Sequence, residues 1–204
     1  MTAEEVAAFE RIIAAGGVAL FPADTVYGLA TDPESAEGVE RLYRLKGRRP
    51  DRPAAVMFFE TQAALEALPD LPADTRKAVE ALLPGGVTLL LPNPRRRFPM
   101  ACGPSQDVLG LRVPSTTGAL RQMARPVLQS SANPSGQADA RRIEDVDERI
   151  RAGVDIVLDG GDLPGTPSTV VDLTGYHEDG RYEIRRAGAV SGEDIRRALV
   201  RSSR

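Results

Sequence analysis

A chain of 204 residues, 42% apolar and 27% charged, has the length and make-up of one well-cored globular domain spanning residues 1–204. No stretch reaches the 18 or more unbroken apolar residues of a membrane-spanning helix, and a net charge of −3 argues against a dedicated nucleic-acid-binding domain. The single cysteine, Cys102, and single histidine, His177, exclude a disulfide, leave zinc short of ligands and weigh against nucleophiles paired with histidine.

The N-terminus carries acids early and has no basic region ahead of an apolar one, so no signal peptide is read and a cytoplasmic location is expected. Val6, Phe9, Ile12 and Ile13 recur at helical spacing and predict a helix over Ala3 to Ala15, ended by Gly16-Gly17. Val18 to Phe21 reads as a buried strand, and Ala23 to Thr31 as a turn leading into a second extended piece. Val39, Leu42, Tyr43 and Leu45 share a face of a second helix that stops near Lys46-Gly47.

A strand over Ala54 to Phe59 precedes helices over Thr61 to Leu68 and Pro72 to Leu83. Val87 to Leu91 is a strongly apolar strand, and Asn93 to Pro104, rich in Pro and Arg, reads as an exposed loop. Leu109 to Val113 is a strand, Ser115 to Met123 a short helix, and Val127 to Ser130 a strand running into Ser-Ala-Asn-Pro-Ser-Gly. A helix from Ile143 to about Arg151 is followed by strands at Ile156–Leu158, Thr169–Leu173 and Tyr182–Arg185. Ser191 to Leu199 closes the chain as a helix, with Ser191 and Asp194 placed as a capping-box variant. Some neighbouring strands have no helix between them, so the expected class is α/β (α+β), a twisted mixed sheet with helices on both faces.

Neither common nucleotide fingerprint and no nucleophile elbow is present, so chemistry must come from other strand ends. Pro134 holds Asn133 extended, and residues two apart on an extended chain share a side, so Ser131 and Asn133 present a hydroxyl and a carboxamide together. The competing reading is a turn satisfying its own hydrogen bonds. Lys46, Arg48 and Arg49 gather three cations at a helix end. A helix dipole suits one of them, whereas three, with Arg52 nearby, suit a polyphosphate. Lys46 and Lys77 are the only lysines among 26 basic residues, which singles out Lys46 as a position wanting a compact ammonium. Thr25 and Tyr27 share a face if extended, with Gly28 allowing close backbone approach. Arg112 lies between Leu111 and Val113 and needs either a buried carboxylate or a ligand's carboxylate.

Taken in order, PADTVYGL, KGRRPDRPA, PGGVT, LRVP, SANPSG, STVVD and RAG make the chain resemble the YrdC-like threonylcarbamoyl-AMP synthases, from Ala19 to about Ser191. The resemblance implies a sheet with a large positive concavity and a reaction joining L-threonine, bicarbonate and ATP into threonylcarbamoyl-AMP and pyrophosphate. A partner complex then transfers the threonylcarbamoyl group to tRNA, so tRNA contact by the synthase is expected to be weak or indirect. Carried over by position, Thr25, Arg112, Ser131 and Ser168 would hold threonine, and Lys46, Arg48, Asn133 and Arg186 the phosphates. Arg52 also falls on the ATP side, as do Val108 and Arg141. Lys46, Arg48, Ser131 and Asn133 would carry catalysis by positioning and charge, and Lys46→Ala would impair ATP use with folding intact. Mg²⁺ would arrive with ATP, with no metal site of the protein's own. The chain departs from the pattern at Ala23, Asp24, Arg52 and Ala54, and at Met57, where many relatives place a histidine. Two other readings stay open: a relative that binds nucleotide or RNA without making the adenylate, and one using another carbamoyl donor or amine.

Overall fold

The computed structural model describes residues 1–116 and 118–202. Its elements are α1 (Ala3–Ala14), β1 (Ala19–Pro22), β2 (Tyr27–Thr31), α2 (Ala36–Lys46), β3 (Ala55–Met57), α3 (Thr61–Ala67), α4 (Ala73–Leu82), β4 (Val87–Pro92), α5 (Pro99–Cys102), β5 (Val108–Arg112), β6 (Val127–Ser131), α6 (Glu148–Gly153), β7 (Ile156–Val157), β8 (Thr169–Asp172), α7 (Tyr176–Asp179), β9 (Glu183–Arg186) and α8 (Gly192–Ser202). Two 3₁₀ turns, Gly118–Gln122 and Ile143–Asp145, complete the set. The strands form one nine-stranded mixed sheet ordered β7-β1-β2-β6-β3-β5-β4-β8-β9.

Local chemistry explains the helix ends. Thr2 caps α1 reciprocally: its hydroxyl accepts from the Glu5 amide at 3.2 Å, and the Glu5 carboxylate accepts from the Thr2 amide at 2.7 Å. Ser35 caps α2 by accepting from the Gly38 amide. At the other end Gly47 takes φ 57°, and the Arg48 amide donates back to Tyr43 O at 2.9 Å, which closes α2 in a Schellman turn. Ser191 and Asp194 cap α8 as the capping pattern predicts, with the Asp194 amide donating to Ser191 Oγ at 3.2 Å.

The two sheet faces differ. Leu89, Leu91, Leu109, Leu111, Val56, Leu128 and Val171 alternate onto one face and join the larger core cluster with residues of α2, α4, α6 and α8. On the opposite face α1 and the first 3₁₀ turn cover the sheet around β1, where Phe9 stacks on Phe21 with ring centroids 5.5 Å apart. That cover stops before β5, and the remainder of this face, floored by β3–β5–β4–β8, is open.

Several elements correct the sequence reading. The expected exposed loop of Asn93 to Pro104 contains α5 and buries Asn93, Ala101 and Cys102. Asn93 is the reason: its amide donates to Arg97 O and Gln106 O and ties both ends of the segment inward. The helix expected over Ser115 to Met123 is a 3₁₀ turn confined to Gly118–Gln122, and Thr117 lies outside the described residues, as do residues 203–204 of the proposed 1–204 domain. The helix expected from Ile143 is split, because Asp147 caps α6 by accepting from the Arg149 amide.

Candidate active site

The open part of the sheet is a cavity of about 480 Å³, within the range of small-molecule sites. Its floor consists of three cross-strand rows that the registers define. The first includes Arg112 and Thr88, the second Gln129, Ala55, Gly110, Leu90 and Asp172, and the third Ser131 and Val108. Arg48, Asp139, Val26, Ser168, Arg185 and Arg186 rise around it. Four arginines against two aspartates give the lining an excess of positive charge.

Arg112 is the cation on the floor and is 3% exposed. Its Nη2 donates to Asp24 Oδ1 at 2.5 Å and to Thr25 Oγ1 at 3.4 Å, while its Nε has no partner among the described residues. Asp24 is held from its other side by the Ser115 amide at 2.9 Å. Burial lowers the Arg112 pKa and Arg186 adds to that, while Asp24 works against both. Of the two partners the sequence allows for this arginine, the protein supplies the buried carboxylate and leaves Nε and Nη1 without a partner among the described residues.

Ser168 is buried beside it. Its hydroxyl meets Thr88 Oγ1 at 2.7 Å, and Arg186 Nη2 donates to its carbonyl at 2.8 Å. Close approach of a second loop permits this. A Cβ on Gly188 would stand 2.3 Å from Pro167 O and 2.5 Å from Ser168 C, so only glycine fits there. Gly188→Ala is expected to lower stability by about 1–3 kcal/mol, as overpacking does, and to displace Ser168 and Arg186. A thermal melt together with a ligand titration checks it.

At the opposite end Lys46 is placed by the apolar stripe of α2. Val39, Leu42, Tyr43 and Lys46 follow at helical spacing and all are buried. The ammonium, 2% exposed, ends under β6 and not in the cavity wall. It donates to the carbonyl of Ser131, to that of Asn133 at 2.8 Å and to Asn133 Oδ1 at 3.2 Å. Burial, helped by the nearby Arg48 charge and opposed by Asp139, brings its pKa down to about 8. Asn133 is equally occupied: Oδ1 also accepts from Ser131 Oγ at 2.5 Å, and Nδ2 donates to Gln137 O. Ser131 and Asn133 thus share a side and bond to each other, with Ser131 facing the cavity.

Arg48 lines the cavity, its guanidinium donating to Pro53 O and lying 5.8 Å from the Tyr43 ring centre. Arg49 pairs with Asp51 at the surface at 2.7 Å. Arg52 is exposed and lines no part of the cavity, contributing its carbonyl to Tyr43 Oη at 2.8 Å. Arg141 is likewise exposed outside it, 3.6 Å from Asp162. Val108 is on the floor. Met57 is fully buried in the smaller core cluster. The structure therefore gathers Arg48, Val108, Arg112, Ser131, Ser168 and Arg186 around one space, with Thr25, Lys46 and Asn133 just behind it.

The family described as "Telomere recombination", Sua5/YciO/YrdC, matches residues 11–188. The chain belongs to this family. It is 32% identical over 167 residues to the threonylcarbamoyl-AMP synthase of Pseudomonas fluorescens, covering 80% of this chain and 89% of that one. The crystal structure of Pyrococcus abyssi Sua5 complexed with L-threonine superposes with a TM-score of 0.81 at 27% identity, covering 97% of this chain. The present chain spans 58% of that longer one. The structure of E. coli YciO, 24% identical with a TM-score of 0.78, covers 95% of this chain and 94% of its own, and shares the fold.

Within the Sua5/YciO/YrdC frame, sequence reasoning overlooked several cavity residues. Asp172 is one: burial works to raise its carboxyl pKa, but bonds from the Thr174 hydroxyl and amide and from Arg185 outweigh that and hold it low. Asp139, Thr88, Ser105 and Gln129 are others. The detectable signal was alternation: Thr88 is flanked by core Val87 and Leu89, and Gln129 follows core Leu128 at the parity of Ser131. Tyr27 is fully buried, and its hydroxyl holds the 159–161 loop by accepting from the Gly160 amide and bonding Asp159 and Gly161. Burial, together with Asp159, raises its pKa to about 12.

Proposed function

We propose that this chain joins L-threonine, bicarbonate and ATP into threonylcarbamoyl-AMP and pyrophosphate, for transfer of the threonylcarbamoyl group to tRNA by a partner complex. One observation carries the reading: a cationic cavity in which a buried, incompletely satisfied arginine stands beside two hydroxyl-bearing residues, with further arginines at the rim. An amino acid's carboxylate suits Arg112, and a triphosphate suits Arg48 and Arg186. The naming of relatives as threonylcarbamoyl-AMP synthases and the L-threonine complex of the Pyrococcus abyssi protein support it.

In this reaction the threonine amine adds to bicarbonate, water leaves, and the resulting carbamate oxygen attacks the α-phosphorus as the bond to pyrophosphate breaks. Two anions must meet, and negative charge grows on the leaving group, so positioning and fixed positive charge are the main demands. Arg112 would orient the carboxylate, Arg48 and Arg186 the phosphates, and Lys46 would act through Ser131 and Asn133, whose positions it holds. Mg²⁺ bound to the triphosphate would share the charge. Asp139 fits one water-mediated or direct contact to it, being the cavity carboxylate without a hydrogen bond or ion pair among the described residues. Among those residues no helix is long and apolar enough to cross a membrane.

Pyrophosphate release from ATP tests the reading. Release is expected only when L-threonine and bicarbonate are both present. Equal release with serine or alanine, or none, overturns it. Nucleotide binding without release would favour the non-synthase reading instead.

A further inference from the structure

The most informative group that the mechanism leaves unused is Gln129. It is 5% exposed, it lines the cavity, and its carboxamide makes no hydrogen bond among the described residues. Its amide atoms are not sealed in the core: they reach solvent through the cavity, which is where a ligand's polar group would meet them. The sheet supplies no partner by design. The cross-strand neighbours of Gln129 are Ala30 on β2 and Ala55 on β3, neither with a polar side-chain atom. Diagonally, Gly28 makes room for it: a Cβ there would lie 2.7 Å from Gln129 Nε2. The close approach that Gly28 permits is therefore made by this side chain. Small residues thus surround a polar head that lies over Gly28 and lines the cavity.

We infer that Gln129 reads the side-chain hydroxyl of the bound amino acid and so sets its specificity. The inference rests on the synthase reading above. A carboxamide carries one acceptor and a donor group, which complements a neutral hydroxyl and not an anion; the anions have the arginines. Gln129 and Arg112 stand two strands and one residue pair apart, roughly 12 Å between Cα atoms from sheet spacing, and both line the cavity. That separation leaves space for a small amino acid whose carboxylate meets Arg112. With its nitrogen turned towards the nucleotide, the side chain falls towards Gln129 and Val26. Val26 provides an apolar wall for a methyl group beside the hydroxyl. A site built to hydrogen-bond a hydroxyl rejects the analogue that lacks it, because the buried group is left unpaired.

The test compares L-threonine with L-2-aminobutyrate, which lacks the hydroxyl, in pyrophosphate release and in calorimetric titration. Gln129→Met keeps the volume and removes the amide. The kcat/KM preference for threonine is expected to fall about tenfold or more, the value of one lost hydrogen bond to a buried partner, with KM for ATP within about twofold of the parent. Gln129→Asn, shorter but still an amide, should retain part of the preference and guards against a folding defect in the first variant. An unchanged preference overturns the inference alone. A parallel loss for both amino acids, or a rise confined to the ATP KM, overturns it too, by making Gln129 a packing or nucleotide contact. A parent protein that neither binds threonine nor releases pyrophosphate with it removes the synthase reading first, and this inference with it.

Discussion

Replacing Arg112 with alanine is expected to abolish threonine-dependent pyrophosphate release, by about 10²-fold or more, and to destabilise the protein by about 3–5 kcal/mol. Both effects come from one geometry. The guanidinium sits in the floor of the cavity within 2.5 Å of Asp24, and the two side chains are only 4% and 8% exposed. Removing it strands a buried carboxylate, which retains only the Ser115 amide. The two effects separate in a double variant. Asp24→Asn with Arg112→Met removes both charges and keeps the volume, and such replacements of buried pairs are commonly neutral or stabilising. Its melting temperature should return towards the parent's while activity stays lost. Recovery of activity in the double variant would mean that Arg112 serves the fold alone. Asp24→Asn by itself should also lower the melting temperature, since it leaves the buried Arg112 charge without its carboxylate and with only neutral oxygens to donate to.

The layering of the fold was legible because burial imposes period. Ala19 to Pro22 and Val87 to Pro92 carry the apolar character of strands, and α1 shows its stripe at Val6, Phe9 and Ile13. The α5 segment was not legible. Arg95, Arg96 and Arg97 dominate its composition, while the residue that organises it, Asn93, looks like any loop asparagine until its amide is seen holding Arg97 and Gln106. The capping residue Asp147 likewise interrupts a helical pattern that reads as continuous from Ile143.

The site divides in the same way. Motif order brought Arg48, Arg112, Ser131, Ser168 and Arg186 into one list, and the sheet brings them round one cavity. Side-chain direction is what the list lacks. Arg48 and Arg52 are four residues apart in one basic run, yet Gly47 turns the first inward and leaves the second on the surface. The partner of Arg112 lies 88 residues away, and no local rule predicts that distance. Gln129 was hidden by its neighbours, since Val127 and Leu128 read as strand core and only the odd–even position relative to Ser131 betrays its face.

Lys46→Met should reduce activity about 10²-fold and, unlike the expectation of intact folding from sequence, also lower stability, by about 1–3 kcal/mol. The ammonium is not free to grip a phosphate as three clustered cations suggested. Two carbonyls and the Asn133 side chain consume its donors, and through them it holds Ser131 against the cavity. Its pKa near 8 makes the two roles separable by pH. The unfolded chain keeps the proton up to the ordinary lysine value of 10.5, so between about 8 and 10.5 the unfolded state binds more protons. The cost of burying the charge is therefore fully present below pH 8 and is relieved as pH rises, which favours the fold. Activity moves the other way: a neutral amine has two hydrogens for three acceptors, and the segment carrying Ser131 loosens. The parent protein should lose pyrophosphate release as pH rises through about 8 with no matching fall in its melting temperature, and Lys46→Met should lack that limb. Lys46→Arg should not rescue it, because a planar guanidinium is too large for an oxygen cage shaped to a compact ammonium. A parent profile that stays flat to pH 9.5, or a variant that keeps the same limb, would assign the loss to another group and return Lys46 to a purely structural role.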